Sequence, residues 1–344
     1  MASVMSHYDI YAIGNALVDS EYEVTDAQLQ AMGVEKRHMT LIDMPRRTAL
    51  LSAVQGLHSR RTGGGSAGNT VVAVAQLGGK AFYSCRVADD ELGAFYRDDL
   101  QVNGVDSNLN HTKPPVGQTG SCMVMVTPDA ERSMSTFLGA TADIDHTALH
   151  PKDIAKSKVY YMEGYLAASP TGLDAALRGR AMAKAAGVKL AATLSDMSMI
   201  NFCRAGLEAM VGADEGGLDY LFCNEEEATV WCGNQDLDAV CQQISQLARV
   251  VCLTRSAKGC IVLENGNSTE VPAAKVTAVD TNGAGDMFAG AFLYAVTRGH
   301  SVSQAAWLAN QAAGAVVTQY GNRLSNPTIA TIQTQFAQHL ILTA

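Results

Sequence analysis

Residues 280–293 read Asp-Thr-Asn-Gly-Ala-Gly-Asp-Met-Phe-Ala-Gly-Ala-Phe-Leu, a turn of small residues running into a long apolar segment that patterns as a helix. Gly283, Ala284 and Gly285 carry little or no side chain, so their backbone N–H groups can approach an anion closely. The helix that follows aims the positive end of its dipole at the same point. Asp286 falls on the first helical turn, where a carboxylate can take the proton of an attacking hydroxyl. A glycine turn whose Asp merely caps a core helix has the same local sequence, so other motifs must accompany this one before it counts as a site.

Outward from that helix, strand-like apolar runs alternate with helical patterns. Residues 8–14 and 81–87 read as strands, with helices at 45–57, 66–77 and 91–103. The alternation resumes with strands at 159–162, 188–193, 220–223 and 250–254 and helices between them. It predicts parallel β-α-β units, hence an α/β fold with a mostly parallel central sheet. Two stretches break it: residues 18–43 hold short extended pieces, and 119–126 with 132–138 read as a hairpin around Pro128-Asp129. They are expected to form one small β lid, residues 18–43 and 115–138. The large domain would then comprise residues 1–17, 44–114 and 139–344, its last helices being 283–297 and 303–319.

The 344 residues are 47% hydrophobic and 17% charged, enough apolar matter to bury a large core. A formal charge of −9 with no basic run disfavours nucleic acid as a partner but leaves small anionic ligands open. The eight cysteines lack Cys-x-x-Cys spacing and read as reduced core residues of a cytosolic protein. The first residues lack a cationic region followed by an apolar one, and no stretch approaches an uncharged apolar span of about 18 residues. The expectation is a cytoplasmic protein that neither enters a membrane nor is exported. His7, His38, His58, His111, His146, His150, His300 and His339 are scattered without metal-ligand spacing. There is no Gly-x-x-x-x-Gly-Lys-Ser/Thr loop and no Gly-x-Ser-x-Gly elbow, which leaves the 283–286 turn as the place where an anion such as a phosphate would be held.

Gly63-Gly64-Gly65-Ser66-Ala67-Gly68 satisfies the dinucleotide fingerprint G-x-G-x-x-G, with Asp89 and Asp90 some way on. The residues before it are polar and basic, so no buried strand is expected to feed the turn, and an NAD-dependent oxidoreductase fails on that ground. Asn69 then stands at a helix start beside bare backbone, suited either to bonding ligand hydroxyls or to capping.

Taken together, these motifs resemble the ribokinase-like (PfkB) carbohydrate kinases, and among them the adenosine kinase-like branch, over residues 8–325. Residues 280–293 fit the C-terminal signature, and Gly64, Gly65 and Asn69 part of the N-terminal one. Asn224-Glu225-Glu226-Glu227 resembles the Asn-x-x-Glu motif that organises magnesium and its waters, while Thr254 to Gly259 resemble the segment that touches ATP. A helix opening with three acids is equally what dipole stabilisation alone would produce.

The resemblance implies a ribokinase-like three-layer fold with a small lid, and an ATP-dependent phosphotransferase using Mg2+ with Asp286 as base. It implies that Asp19 holds a vicinal diol with Asn15 near the base, that Gly64, Gly65 and Asn69 bind the same ribose, and that Arg132 reaches the transferring phosphoryl group. Ala309, Asn310 and Ala313 would line the adenine of ATP. Asp280 and Asn282, with backbone at Val316, Gln319, Gly321 and Ser325, would hold a monovalent cation such as K+. Met134, Leu138, Gly139 and Ala140 resemble the apolar edge of a purine pocket. The expected acceptor is a ribonucleoside, adenosine first, handled by a monomer or homodimer. A free-sugar kinase and a non-catalytic sugar or nucleotide sensor are the alternatives; the intact Asp286 and the Asn224–Glu227 cluster argue against the sensor.

Overall fold

Buried runs rich in β-branched and aromatic residues form most of the strands, and the computed structural model describes residues 7–57, 59–129 and 131–343. His58 and the first six residues, both read above, lie outside the described residues. The strands are β1 (Tyr8–Ile13), β2 (Leu17–Glu23), β3 (Met39–Leu41), β4 (Ser59–Gly64), β5 (Ala81–Ser84), β6 (Asp106–Ser107) and β7 (Gly120–Val126). They continue as β8 (Arg132–Phe137), β9 (Ser157–Glu163), β10 (Lys189–Thr193), β11 (Leu218–Asn224), β12 (Ala248–Thr254), β13 (Cys260–Glu264) and β14 (Asn267–Val271).

Nine of them form one sheet in the order β14-β13-β12-β11-β10-β9-β1-β5-β6, parallel from β12 to β6. Helices cover both faces, with the core divided into one apolar cluster on each side, as a sheet buried twice requires. This is the expected α/β fold. The antiparallel β13–β14 edge and the final helix Asn326–Leu342 add to what the sequence predicts. That helix is hard to read because only Ile329, Ile332 and Phe336 of it are buried. In the parallel strands the register sets Ile13, Met162 and Ala192 side by side, so Asn15, Glu163, Asn224 and Thr254 all emerge at the carboxyl edge. Open α/β sheets bind their ligands there.

The other five strands form a small sheet in the order β3-β8-β7-β2-β4. Its hairpin β7–β8 falls where the sequence predicts. The sheet draws in more chain than expected, because β4 pairs antiparallel with β2 and the helix Met44–Ala53 packs Leu50 on its outer face. A strand therefore does feed the glycine turn, contrary to the expectation. Ser59, Arg60 and Arg61 are exposed because β4 is an edge strand, so the polar, basic sequence is that of a sheet margin. The dinucleotide reading still fails, since this strand is neither buried nor part of the parallel sheet.

Register assigns the two faces of the small sheet. Asp19, Cys122, Thr136 and Leu41 are successive partners across it, and so are Glu21, Val124, Met134 and Met39. That face meets the large domain. The opposite face carries Tyr22, Met123 and Met125 into a separate apolar cluster with Leu29 and Leu50.

Candidate active site

The helix Ala284–Val296 begins at Gly283, whose φ of 75° is left-handed and favours glycine. A side chain on Gly283 would crowd Asn322, whereas a Cβ on Gly285 would meet nothing within 4 Å. Protein packing thus gives no reason for glycine at 285; the bare backbone leaves a cradle at a helix N-terminus, which suits a phosphate. Asp286 stands on the first turn and accepts from Ser66 Oγ at 2.6 Å through Oδ1 and from Asn69 Nδ2 at 2.8 Å through Oδ2. Burial pushes its carboxyl above the ordinary range, against the opposing pull of those two donors and of Arg323.

Asp19 lies across the turn, and a side chain at Gly64 would run into its carboxylate; at Gly65, with φ 86°, it would run into the backbone carbonyl of Asn15. Glycine at both positions lets the turn seat against β2 and the end of β1. Burial pushes the Asp19 carboxyl up to about 7, with Arg323 opposing. Glu163 closes the arrangement from beneath, accepting from the backbone N–H of Asn15 at 2.7 Å and of Ala67 at 2.8 Å. It is fully buried and its carboxyl is likewise pushed up to about 7 by desolvation.

Asn224 caps the helix Glu225–Cys232 in a reciprocal box with Glu227, whose backbone N–H donates to Asn224 Oδ1 at 2.7 Å. Asn224 Nδ2 donates to Glu227 Oε1 at 2.7 Å. Burial pushes the Glu227 carboxyl up to about 7. A carboxylate and an amide oxygen are hard donors suited to magnesium, and a carboxylate that resists ionisation alone would gain from a cation nearby. Among the described residues no cluster of three His, Cys, Asp or Glu side chains forms a closed metal cage, so such an ion would keep most of its waters. Thr254 ends β12 beside Asn224, and Gly259 is fixed as glycine by a φ of 91° and the Val271 carbonyl.

The remaining expected residues have protein partners of their own. Arg132 pairs through Nη2 with Glu21 at 2.8 Å and with Asp280, three residues before the Gly283 turn, at 2.9 Å. Two carboxylates on facing elements attract the guanidinium. Asp280 also accepts from the backbone N–H of Asn282 and Gly321, so its oxygens already have donors at the predicted cation site. Val316 is buried, Gln319 donates to the Arg323 carbonyl, and Ser325 caps the last helix. Ala309 is fully buried in the core and does not line an open slot. Asn310 spends its amide on the carbonyls of Val271 and Pro272, tying β14 to the helix Val302–Val316, while Ala313 is half-buried beside it.

Against known proteins, the family model for pfkB carbohydrate kinases matches residues 39–329. The chain belongs to the PfkB carbohydrate kinase family. The structure of a probable sugar kinase from Rhizobium etli CFN 42 superposes with a TM-score of 0.88 at 34% identity, covering 96% of this chain and 100% of that one. An adenosine kinase structure from Sinorhizobium meliloti gives 0.86 at 34% identity over 95% and 99%. The adenosine kinase of Saccharomyces cerevisiae is 26% identical over 326 residues, 87% of this chain and 93% of its own. This PfkB chain is thus an ATP-dependent kinase of the sugar and nucleoside class, on a ribokinase-like fold. No helix among its described residues is long and apolar enough to cross a membrane.

Four further side chains stand at this candidate site: Ser66, Glu163, Asn322 and Arg323. Ser66 lies inside the glycine motif and is legible as a helix-start hydroxyl. The other three stand alone in apolar or loop sequence and reach the site only through tertiary packing.

Proposed function

We propose that the protein transfers the γ-phosphoryl group of ATP to the primary hydroxyl of a ribonucleoside, adenosine first. Asp286 removes the hydroxyl proton, the oxygen attacks phosphorus, and the bond from phosphorus to the β-phosphate oxygen breaks, releasing ADP. The N–H groups of the 283–286 turn bear the charge on the transferring group, and positioning carries most of the remaining catalysis. Asn15, Asp19, Gly64 and Gly65 orient the sugar. Asn224 and Glu227 would hold Mg2+ through its waters, which neutralises phosphate charge when bound; Asp280, Asn282 and the 316–325 loop would take K+ only if Arg132 leaves Asp280.

The observation that carries the nucleoside over a free sugar is the apolar surface on the lid. Met39 and Leu41 are 40% and 59% exposed on the face that also holds Asp19 and Arg132. Leu41 also lines a cavity of about 630 Å3 with Leu138, Gly139 and Ala140. Thr141, in the same short helix, accepts from the backbone N–H of Ala16 beside Asn15. A sugar bound through its hydroxyls has no use for that surface; a planar base has. An ATP-consumption panel over nucleosides and free sugars tests this. Adenosine should exceed ribose in kcat/KM by several kcal/mol of transition-state binding, since remote contacts assist the reacting centre. Ribose or fructose turning over as fast as adenosine at equal concentration would move the chain to the sugar kinases.

The same exposed strip implies that the lid closes on the acceptor and carries Arg132 off Asp280 toward the phosphates, excluding water. Hydrogen exchange in segments 18–43 and 115–138 should slow at saturating acceptor. Unchanged exchange there would contradict closure.

A further inference from the structure

The Asn69 amide has one orientation open to it. Its Oδ1 receives two donors, Asn322 Nδ2 at 2.9 Å and Arg323 Nη1 at 2.9 Å, so the opposite corner must be the NH2 group. That group faces Asp286 Oδ2 at 2.8 Å. Arg323 is itself held, its Nη2 donating to the Gly63 carbonyl at 3.0 Å and meeting Asp99 Oδ2 at 3.3 Å, with its side chain only 15% exposed. Gly63 has to be bare, since a Cβ there would collide with the Asp99 carboxylate and crowd Arg323. One guanidinium thus grips the sugar-side turn at Gly63 and, one residue removed, the carboxylate at the reacting centre.

We propose that Arg323 is a positioning residue for phosphoryl transfer: by fixing the Asn69 amide it fixes the direction from which Asp286 takes the acceptor's proton. The inference rests on Asp286 being the base. Fork geometry is essential to it, because a guanidinium bonds Gly63 and Asn69 together from one plane and an ammonium is a single point of charge. Charge adds to geometry. The titratable groups facing this region are Asp19 from β2, Glu163 from the end of β9, Glu227 from the helix Glu225–Cys232 and Asp99 from the helix Glu91–Val102, with Tyr161 on β9 and Tyr165 just beyond it. Arg132 on β8 is drawn to Asp280 and Glu21, and Arg323 is the cation whose field lowers the Asp286 carboxyl.

The test compares Arg323→Gln and Arg323→Lys with the wild-type enzyme in kcat and KM across pH, with thermal melting as the folding control. Arg323→Gln should lose about tenfold to a hundredfold in kcat, the scale of a reacting group misplaced by about 1 Å, with KM for ATP unchanged. Its acidic limb of kcat should move to higher pH, because Asp286 then stays protonated longer. Arg323→Lys should return the limb toward the wild-type position without restoring kcat. A folded Arg323→Gln with wild-type kcat and limb, or with a defect in KM alone, would overturn the proposal. If Arg323→Gln does not fold, Arg323→Lys decides: reduced kcat with the limb in place supports positioning, and unchanged kcat refutes it. Failure of the underlying base assignment is separable, since it would appear as an active Asp286→Asn enzyme, whatever Arg323 does.

Discussion

Asp286→Asn is expected to abolish nearly all turnover while ATP still binds, a loss of about a hundredfold or more, the usual scale for a general base. The substitution is a clean one in this site. An amide at 286 can turn its oxygen to Asn69 Nδ2 and its NH2 to Ser66 Oγ, a hydroxyl that also accepts, so both contacts survive. What disappears is the ability to take a proton. Steady-state kinetics with a separate ATP-binding titration reads the two effects apart. Near-normal turnover in a folded variant would remove Asp286 from the role of base.

Asp19→Ala is expected to raise the acceptor's KM by about tenfold to a few hundredfold and to leave that of ATP nearly unchanged. Hydrogen bonds to a charged group contribute about 1.5–3 kcal/mol, and the carboxylate offers two acceptor oxygens to two adjacent hydroxyls. The wild-type enzyme should show the same contact in its pH profile. With its carboxyl pushed up to about 7, Asp19 is protonated below neutrality and loses acceptor capacity, so the acceptor's KM should fall as pH rises through that value. The Asp19→Ala enzyme should lack this dependence. A defect confined to ATP would place Asp19 outside the acceptor site.

The parts of the fold that sequence reveals are those whose chemistry is local. The 283–286 turn declares itself because small residues, an acid and an apolar helix are consecutive, and the parallel strands do so because burial on both faces makes their runs continuous. β4 is misleading for the same kind of reason: Ser59, Arg60 and Arg61 face solvent at a sheet margin, so a strand wears the sequence of a loop. Glu163, Asn322 and Arg323 carry no local signal. Arg323 meets Asn69 across 254 positions, a distance no window of sequence spans. Arg132 shows a different limit, since a motif can supply the residue without saying which carboxylate it will find, and here it finds Asp280 and Glu21. The helix Asn326–Leu342 and the anchoring of β14 by Asn310 likewise depend on partners far along the chain.

The most direct measurement is a crystal structure of the protein with adenosine and a non-hydrolysable ATP analogue bound together. It should place the primary hydroxyl of the ribose within hydrogen-bond reach of an Asp286 oxygen, the vicinal diol on Asp19, and the terminal phosphate over the 283–285 turn. Adenosine seated with that hydroxyl directed away from Asp286, or phosphates held at another helix end, would contradict the account.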